Sequence, residues 1–143
     1  MAITVDYVGE YEPSKGSREA CGSDLRAWIP SGEVVIRPGC FEVIRTGIKA
    51  QPPIGYAGFL MIRSGQSKRG LRLTTGVSLI DPDYTGDITC NLYNDSDYPQ
   101  VVRDGERIAQ IVYVRVPDVR WNRVEELKVS ERGDGGFGSS GRM

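Results

Sequence analysis

The chain has 143 residues, a length typical of one domain, and its 39% hydrophobic content is enough for a core without disulfides or a structural metal. Lysine and arginine number 18 against 19 aspartate and glutamate, a net charge of -1, which excludes the broad basic surface of nonspecific nucleic-acid binding. Histidine is absent, so any proton transfer falls to a carboxylate instead of an imidazole.

The number and spacing of the three cysteines predict that their thiols are reduced. Cys21, Cys40 and Cys90 are odd in number, widely spaced and without a CxxC pair, which fits neither a disulfide framework nor a zinc site. The first ten residues lack both a cationic start and an apolar stretch, so we expect no signal peptide, and no apolar run reaches transmembrane length. We therefore expect a cytoplasmic protein, or one in the nucleus or a viral host-cell compartment if the source is eukaryotic or viral, with no membrane partner.

Short strands separated by turns are predicted along most of the chain. The 18 glycines fall at turn positions between apolar runs rich in valine, isoleucine, threonine and aromatic residues. These runs are residues 33–37, 41–49, 56–63, 71–80, 87–94 and 107–116. In the fifth run Ile88, Cys90 and Leu92 share one face, the period of two that a half-buried strand shows. The pattern predicts an all-β fold, either a barrel or a jelly-roll sandwich.

One short helix is predicted after the third run, at residues 64–68. Ser64 is suited to its N-cap and Gly70 to its C-terminal stop. Arg63, Ser64 and Gly65 stand where strand and helix meet, a geometry in which a guanidinium, a hydroxyl and backbone N–H groups converge on one phosphate. A capping serine beside a solvated arginine is the simpler alternative.

The segment at residues 81–86 (DPDYTG) begins like a calcium-binding loop. It has Leu92 where such a loop requires a bidentate glutamate, and no helices flank it, so that interpretation is excluded. The sequence predicts a turn between two strands, which places Asp81 and Tyr84 at a hairpin edge. In isolation, the simplest role for Asp81 is to shape this turn through its side chain.

The last residues, 132–143, form a glycine-rich arm that we separate from a barrel domain at residues 1–131. The composition predicts a flexible tail, yet Arg132 and Phe137 offer a phosphate-binding cation and a face on which a base can stack. A formal match to the dinucleotide-binding GxGxxG pattern fails because the arm lacks the strand and helix that this motif requires. We interpret the arm as a candidate lid, with a disordered tail as the alternative.

Five segments occur in an order that resembles the trimeric dUTP diphosphatases (dUTPases). They are residues 23–27 (SDLRA), 63–65 (RSG), 76–86 (GVSLIDPDYTG), 105–110 (GERIAQ) and 132–141 (RGDGGFGSSG). The resemblance covers nearly the whole chain, and five ordered motifs are far more specific than one. Two positions depart from the family pattern: Gln66 stands where an apolar residue is common, and Ser78 where glycine is usual.

The resemblance implies a jelly-roll β-barrel with one short helix and a flexible arm, assembled as a homotrimer whose active sites are each built from three chains. The implied reaction is hydrolysis of dUTP to dUMP and pyrophosphate, which keeps uracil out of DNA and supplies dUMP for thymidylate synthesis. Asp81 would orient and activate the water that attacks the α-phosphorus. Mg2+ would be held mainly by phosphate oxygens and waters, with Asp24 contacting the hydrated ion.

The remaining implied site residues bind the three parts of dUTP. Those for the phosphate chain are Arg63, Ser64, Gly65, Gln110, Arg132 and Ser139. Those for uracil belong to a hairpin that contributes mainly backbone groups: Thr75, Gly76, Val77, Ser78 and Ile80. Tyr84 would pack beneath the deoxyribose and refuse ribose by sterics. Phe137, followed by Gly138, would stack over uracil as the arm closes and excludes water.

Two other interpretations compete with this one. A dCTP deaminase of the same fold would need a catalytic glutamate beside a serine- and arginine-rich motif, whereas Leu79, Ile80 and Asp81 favour hydrolysis. A noncatalytic nucleotide-binding or signalling protein would keep the fold and ligand. Asp81, Arg63 and Phe137 argue against a loss of catalysis and leave a second role open. We expect no nucleic-acid partner.

Overall fold

The computed structural model describes residues 2–138 and 141. Within this part of the chain, eleven strands and one short helix follow in the order β1 (Asp6–Val8), β2 (Ser23–Arg26), β3 (Glu33–Ile36), β4 (Phe41–Arg45), β5 (Lys49–Gln51), β6 (Tyr56–Ile62), α1 (Ser64–Lys68), β7 (Leu71–Leu73), β8 (Ser78–Ile80), β9 (Thr89–Asn94), β10 (Gln100–Arg103) and β11 (Arg107–Arg115). The predicted all-β class with one short helix is therefore confirmed. No helix in the described part is long and apolar enough to cross a membrane.

The strands pair antiparallel in two larger and two smaller sheets. The larger sheets have the orders β2-β11-β6-β8 and β4-β9-β7, and the smaller ones pair β1 with β5 and β3 with β10. Side chains from both larger sheets meet in one apolar core, among them Leu25 and Leu60 from the first and Ile44 and Leu92 from the second. This two-layered arrangement is the predicted jelly-roll-like fold.

Alternation along β9 places its apolar side chains in the core. Ile88, just before the strand, is 3% exposed, and Cys90 and Leu92 are completely buried, as the period of two predicts. A period of two is a local property of the sequence, so it is visible without knowledge of the partner strands.

Two predicted runs are each divided into two strands. The run at 41–49 breaks between β4 and β5, where Thr46 Oγ1 donates to the carbonyl of Ile88 at 2.6 Å and Gly47 adopts a φ of 69°. The run at 71–80 breaks at the turn between β7 and β8, where Gly76 has a φ of 73°. In both runs a single glycine with positive φ accompanies the break.

The two predicted hairpins are wrong. β8 pairs with β6, whereas β9 pairs with β4 and β7, so the segment between Asp81 and Ile88 crosses from one sheet to the other. The turn before β8 also joins strands of different sheets, since β7 pairs with β9. Turn-forming residues indicate where the chain reverses, but they do not specify which strands pair.

The last described strand, β11, ends at Arg115. Residues 116–138 form no strand or helix in the described part, and their large apolar side chains, such as Trp121 at 95% exposure, face solvent in the isolated chain. The last described strand of the barrel therefore ends well before residue 132, and the boundary of the arm at that residue stays a prediction.

Candidate active site

A cavity of about 250 Å³ opens beside the segment that joins the two larger sheets. Five of the predicted site residues line it: Thr75, Ser78, Ile80, Asp81 and Tyr84. Gly76 and Val77 belong to the adjoining turn without lining the cavity itself. The segment that crosses between the sheets thus brings together the residues predicted to bind uracil and deoxyribose and the predicted catalytic residue, Asp81.

The turn before β8 forms one wall of the cavity. Gly76 needs its positive φ, and an added Cβ there would meet no atom of the described residues within 4 Å, so backbone conformation and not crowding favours glycine. The hydroxyls of Thr75 and Ser78 lie 2.7 Å apart and form a hydrogen bond. Ser78 is not among the described residues with positive φ, so a serine is accommodated without backbone strain where the family usually has glycine.

The turn after β8 carries Asp81 and Tyr84. The amide of Tyr84 donates to the carbonyl of Asp81 at 3.1 Å, and its phenol donates to the carbonyl of Asp87 at 2.8 Å. The phenol lies so close to Gly86 that an added Cβ would be 2.6 Å away. Asp81 is exposed, and its carboxylate has no hydrogen-bond or ion-pair partner within the described residues. The turn is fixed by the tyrosine, while the aspartate is available to a ligand.

A second group of predicted residues gathers on β2, β11 and the end of β6. Asp24 is 6% exposed, and its Oδ1 lies 3.0 Å from Nε of Arg63. Its Oδ2 lies 3.6 Å from Nη1 of Arg107. Gln110 stands directly opposite Asp24 in the β2–β11 register and donates Nε2 to the carbonyl of Ile62 at 3.4 Å. None of these residues lines the cavity that contains Asp81.

Helix α1 starts differently from the prediction. Arg63, not Ser64, occupies the N-cap, and no side chain of the described residues caps the helix by a hydrogen bond. Ser64 is the first helical residue, and Ser64 and Gly65 are both exposed beside Arg63. The predicted stop is confirmed: Gly70, with a φ of 89°, directly follows the C-cap.

Gln66 anchors the helix, a role that sequence reasoning missed. It is 6% exposed, and its Nε2 donates to Glu106 Oε1 at 3.0 Å and to the carbonyl of Arg107 at 2.9 Å. Its Oε1 accepts from Nε of Arg69 at 2.7 Å, and Arg69 is also paired with Glu106 at 2.9 Å. A polar network therefore links helix α1, which follows the second motif, to the fourth motif. The departure of Gln66 from the usual apolar residue is the sequence signal that marks this position.

The described part of the arm, residues 132–138 and 141, makes no hydrogen bond to either group. Arg132 donates to the carbonyl of Gly135, a contact within the arm. Phe137 is fully exposed at a φ of 51°, and Gly138 beside it has a φ of 91°. Ser139 lies outside the described residues. From residue 117 onward, no hydrogen bond among the described residues joins this segment to the barrel.

The chain is similar to known proteins over the residues that include the five motifs. The dUTPase family model matches residues 11–141. The deoxyuridine 5'-triphosphate nucleotidohydrolase of Neisseria meningitidis serogroup A is 40% identical over 145 residues, covering 99% of this chain and 95% of the relative. The chain belongs to the dUTPase family. The corresponding enzyme of Tropheryma whipplei strain Twist is 39% identical over 99% of this dUTPase.

A solved structure is similar over nearly the whole of this dUTPase. The Staphylococcus bacteriophage 80alpha dUTPase with dUPNHPP has a TM-score of 0.83 and 28% sequence identity, covering 97% of this chain and 99% of that chain. The family resemblance and the fold predicted from the five motifs are therefore both confirmed.

Proposed function

We propose that this dUTPase hydrolyses dUTP to dUMP and pyrophosphate at sites that are each assembled from three chains of a homotrimer. The hydrolysis is the reaction of its named relatives. The shared site is supported by one observation above all: within one chain, the cavity with Asp81 and Tyr84 is separate from the cluster of Asp24, Arg63 and Gln110. A triphosphate bound through its base in the first needs the cations of the second, and threefold symmetry supplies them from a neighbour.

The cavity binds the nucleoside and holds the attacking water. Backbone groups of the turn before β8 bind uracil, and the ring of Tyr84 packs beneath the deoxyribose. The carboxylate of Asp81 accepts a proton from the water as its oxygen bonds to the α-phosphorus. The bond from the α-phosphorus to the bridging oxygen breaks, and pyrophosphate leaves. This chemistry needs no imidazole, in agreement with a sequence without histidine.

The cluster on β2, β6 and β11 of a second chain binds the phosphates. Arg63 is held by the buried carboxylate of Asp24, so its guanidinium is oriented before the substrate arrives. Ser64 and Gly65 expose the start of α1 beside it, and Gln110 lies on the adjacent strand. These groups stabilise the charge that develops on the leaving pyrophosphate.

The donor set fits a Mg2+ ion held mainly by the substrate. Among the described residues, no cluster of three or more histidine, cysteine, aspartate or glutamate side chains forms a protein cage for a metal. Asp24 is the carboxylate of the phosphate cluster, and its Oδ2 is only loosely engaged by Arg107, at 3.6 Å. We assign Asp24 a contact with the hydrated ion through water. When bound, the ion neutralises negative charge on the phosphate oxygens.

The arm of a third chain closes the site. Arg132 and Ser139 add phosphate contacts, Gly138 provides backbone freedom, and Phe137 stacks over uracil. The full exposure of Phe137 and the absence of hydrogen bonds from the described arm to its own barrel support an arm that reaches another chain. Closure excludes water other than the nucleophile.

We place the enzyme in the cytoplasm. The three cysteines are unpaired, and Cys21 is exposed, which suits a reducing compartment. Burial, and to a smaller extent the charge of Asp87, raises the pKa of the Cys90 thiol to about 12, so this cysteine stays a neutral core residue.

The proposed function is tested by pyrophosphate release from the purified protein with Mg2+, with dUTP, dTTP, dCTP and UTP compared at equal concentrations. We expect selective release from dUTP. Deamination of dCTP would move the protein to the dCTP deaminases, and binding of dUTP without turnover would make it a nucleotide sensor. Either result would overturn the proposal.

A further inference from the structure

Two arginines of this dUTPase each form an ion pair with an aspartate and pack on an aromatic ring. One of them lies next to the candidate active site, and the other lies away from it. Arg45 Nε lies 2.6 Å from Asp87 Oδ2, and its guanidinium lies 4.6 Å from the centre of the Trp28 ring. Asp87 lines the cavity, immediately after the turn that carries Asp81 and Tyr84. Arg45 is thus linked to the site through a single carboxylate.

The second arginine is a natural reference. Arg72 Nε lies 2.8 Å from Asp95 Oδ2, and its guanidinium lies 4.4 Å from the centre of the Tyr93 ring. None of these three residues lines the cavity. The two arginines therefore differ in what their aspartates support and in how far those aspartates are buried: the side chain of Asp87 is 14% exposed and that of Asp95 is 50% exposed.

Asp87 holds the tyrosine that forms the floor of the sugar site. Its backbone carbonyl accepts the phenol of Tyr84 at 2.8 Å, and the phenol lies directly over Gly86. The position of the Asp87 backbone therefore sets the position of the Tyr84 ring. A displacement of Asp87 moves the hydrogen-bond acceptor of Tyr84 with it.

The Asp87 side chain depends on Arg45. It is only 14% exposed, and its Oδ1 is buried with no hydrogen-bond donor among the described residues. A mostly buried carboxylate with one unsatisfied oxygen is costly to keep, and the ion pair through Oδ2 offsets that cost. Arg45 is itself placed by Trp28, whose ring packs against Gly47, where an added Cβ would lie 3.2 Å away.

We propose that Arg45 is a positioning residue that, through Asp87, fixes the Tyr84 ring and so sets the preference of the enzyme for deoxyribose over ribose. The inference rests on the proposed placement of the sugar against Tyr84. Without Arg45, the Asp87 carboxylate turns toward water and pulls on the peptide between Asp87 and Ile88, whose amide donates to the carbonyl of Ile48 at 2.8 Å. The Asp87 carbonyl shifts with that peptide, and the Tyr84 ring no longer blocks a 2'-hydroxyl. Asp81 is not a member of the ion pair, so the chemical step is largely retained.

The test compares Arg45→Met with Arg72→Met, since each removes a guanidinium from an aspartate and an aromatic ring. For Arg45→Met, we expect the KM for dUTP to rise about fivefold to tenfold while kcat changes less than about twofold. The ratio of kcat/KM for dUTP to that for UTP should fall about tenfold, whereas Arg72→Met should leave all three quantities within about twofold of the wild type.

Two further variants secure the interpretation. If Arg45→Met does not fold, Arg45→Lys keeps the charge but loses the Nε contact and the planar stacking, and it should show the same loss of sugar discrimination to a smaller degree. In an Asp87→Asn background, Arg45→Met should have a much smaller effect than in the wild type, because the carboxylate that it supports is gone.

Equal kinetics of the Arg45 and Arg72 variants would overturn the inference, and so would additive effects of Arg45→Met and Asp87→Asn. Neither result affects the proposed function, which fails only if the wild-type protein shows no selective hydrolysis of dUTP. The wild-type measurement is made first, so the two failures are distinguishable.

Discussion

The carboxylates of Asp24 and Asp81 lie in opposite environments, and this contrast separates their proposed roles. Asp24 is buried between the guanidiniums of Arg63 and Arg107. Asp81 is exposed and has no partner in the part of the chain that the structure describes. The Asp24 carboxylate orients the Arg63 guanidinium and engages Arg107 only loosely, whereas an unengaged carboxylate at a cavity can accept a proton from water.

Asp81→Asn should abolish hydrolysis and leave dUTP binding largely intact. The amide keeps the shape of the side chain but cannot act as the base, so we expect a fall in kcat of about 100-fold to 10,000-fold. Pyrophosphate release measures the first effect and isothermal calorimetry the second.

A matched control is available in the same turn. Asp83 is exposed and does not line the cavity, so Asp83→Asn should retain normal turnover. Normal turnover by Asp81→Asn would refute the assignment of Asp81 as the base.

At the scale of the element, helix α1 depends on a buried side chain more than on its caps. The helix has five residues and no side-chain cap, and a helix this short is not stable alone. Gln66 ties it to the turn between β10 and β11 through Glu106 and the backbone of Arg107. The placement of Ser64 and Gly65 therefore depends on a contact with a distant part of the chain.

Gln66→Leu, which introduces an apolar residue of the kind common in the family, should destabilise this chain. Glu106 and Arg69 each lose a hydrogen-bond partner in a partly buried network, and we expect a loss of about 1–3 kcal/mol in the free energy of unfolding. Urea unfolding measures it, and kcat/KM for dUTP should fall as well.

Ser67→Ala on the same helix is the control, because Ser67 is exposed and its side chain makes no hydrogen bond among the described residues. A Gln66→Leu variant as stable as Ser67→Ala would show that the network contributes little.

A second element, the segment that precedes β2, is held against the barrel by a hydrogen bond between two titratable side chains. The Tyr11 phenol donates to Asp104 Oδ2 at 2.6 Å, and Asp104 Oδ1 accepts the amide of Ile29 at 2.8 Å. The hydrogen bond from Tyr11, followed by that from Ile29, lowers the pKa of Asp104 below its ordinary 3.8. The same bond to the carboxylate raises the pKa of Tyr11 above its ordinary 10.0.

The stability that this bond contributes should follow both ionisations. A lowered carboxyl pKa favours the folded state above pH 3.8, and this contribution is lost as the pH falls through the folded-state value. A raised phenol pKa favours the folded state below pH 10.0, and this contribution is lost as the pH rises through the folded-state value.

Tyr11→Phe should therefore lower the urea midpoint by a constant amount between these limits, with the difference from wild type shrinking on either side. Urea unfolding at several pH values measures it. A difference independent of pH at both extremes would contradict this account.

Most strands and turns can be predicted from the sequence, whereas the pairing of the strands cannot, because pairing depends on interactions between residues far apart in the chain. The alternation of Ile88, Cys90 and Leu92 and the stop at Gly70 are local signals, and both predictions hold. Strand pairing depends on residues far apart in sequence, so the predicted hairpin around Asp81 proved to be a crossing between sheets. The short strands β1, β2 and β10 lie outside the predicted runs, because their sequences lack a strong pattern.

The candidate site shows the same division between local sequence signals and long-range contacts. The ordered motifs named the family and the residues that line the cavity, such as Asp81 and Tyr84. Gln66 departs from the family pattern, but its partners lie about 40 residues away in sequence and meet it only when the chain is folded. Arg45 lies outside all five motifs. Its connection to the site runs through an ion pair with Asp87, which the sequence does not reveal.

At the scale of the whole molecule, the parts of the site are distributed as an oligomer would need them. One chain presents the cavity proposed for the nucleoside, a separate cluster proposed for the phosphates, and an arm whose described residues make no hydrogen bond to its own barrel. A trimer in which each site takes one part from each chain makes use of all three.

The most direct test mixes two variants that are each inactive. Asp81→Asn removes the base, and deletion of residues 132–143 removes the arm, which should abolish turnover without unfolding the barrel because the described arm makes no hydrogen bond to it. The two chains are unfolded, mixed at equal amounts, refolded together and assayed for pyrophosphate release from dUTP, with each variant refolded alone as the control.

If the base and the arm of one site come from different chains, about a quarter of the sites in randomly mixed trimers combine an intact Asp81 with an intact arm. We therefore predict that activity returns to about a quarter of the wild-type value. If the arm closes over the cavity of its own chain, every site lacks one part or the other. A refolded mixture that forms trimers but stays as inactive as its components would contradict the shared site.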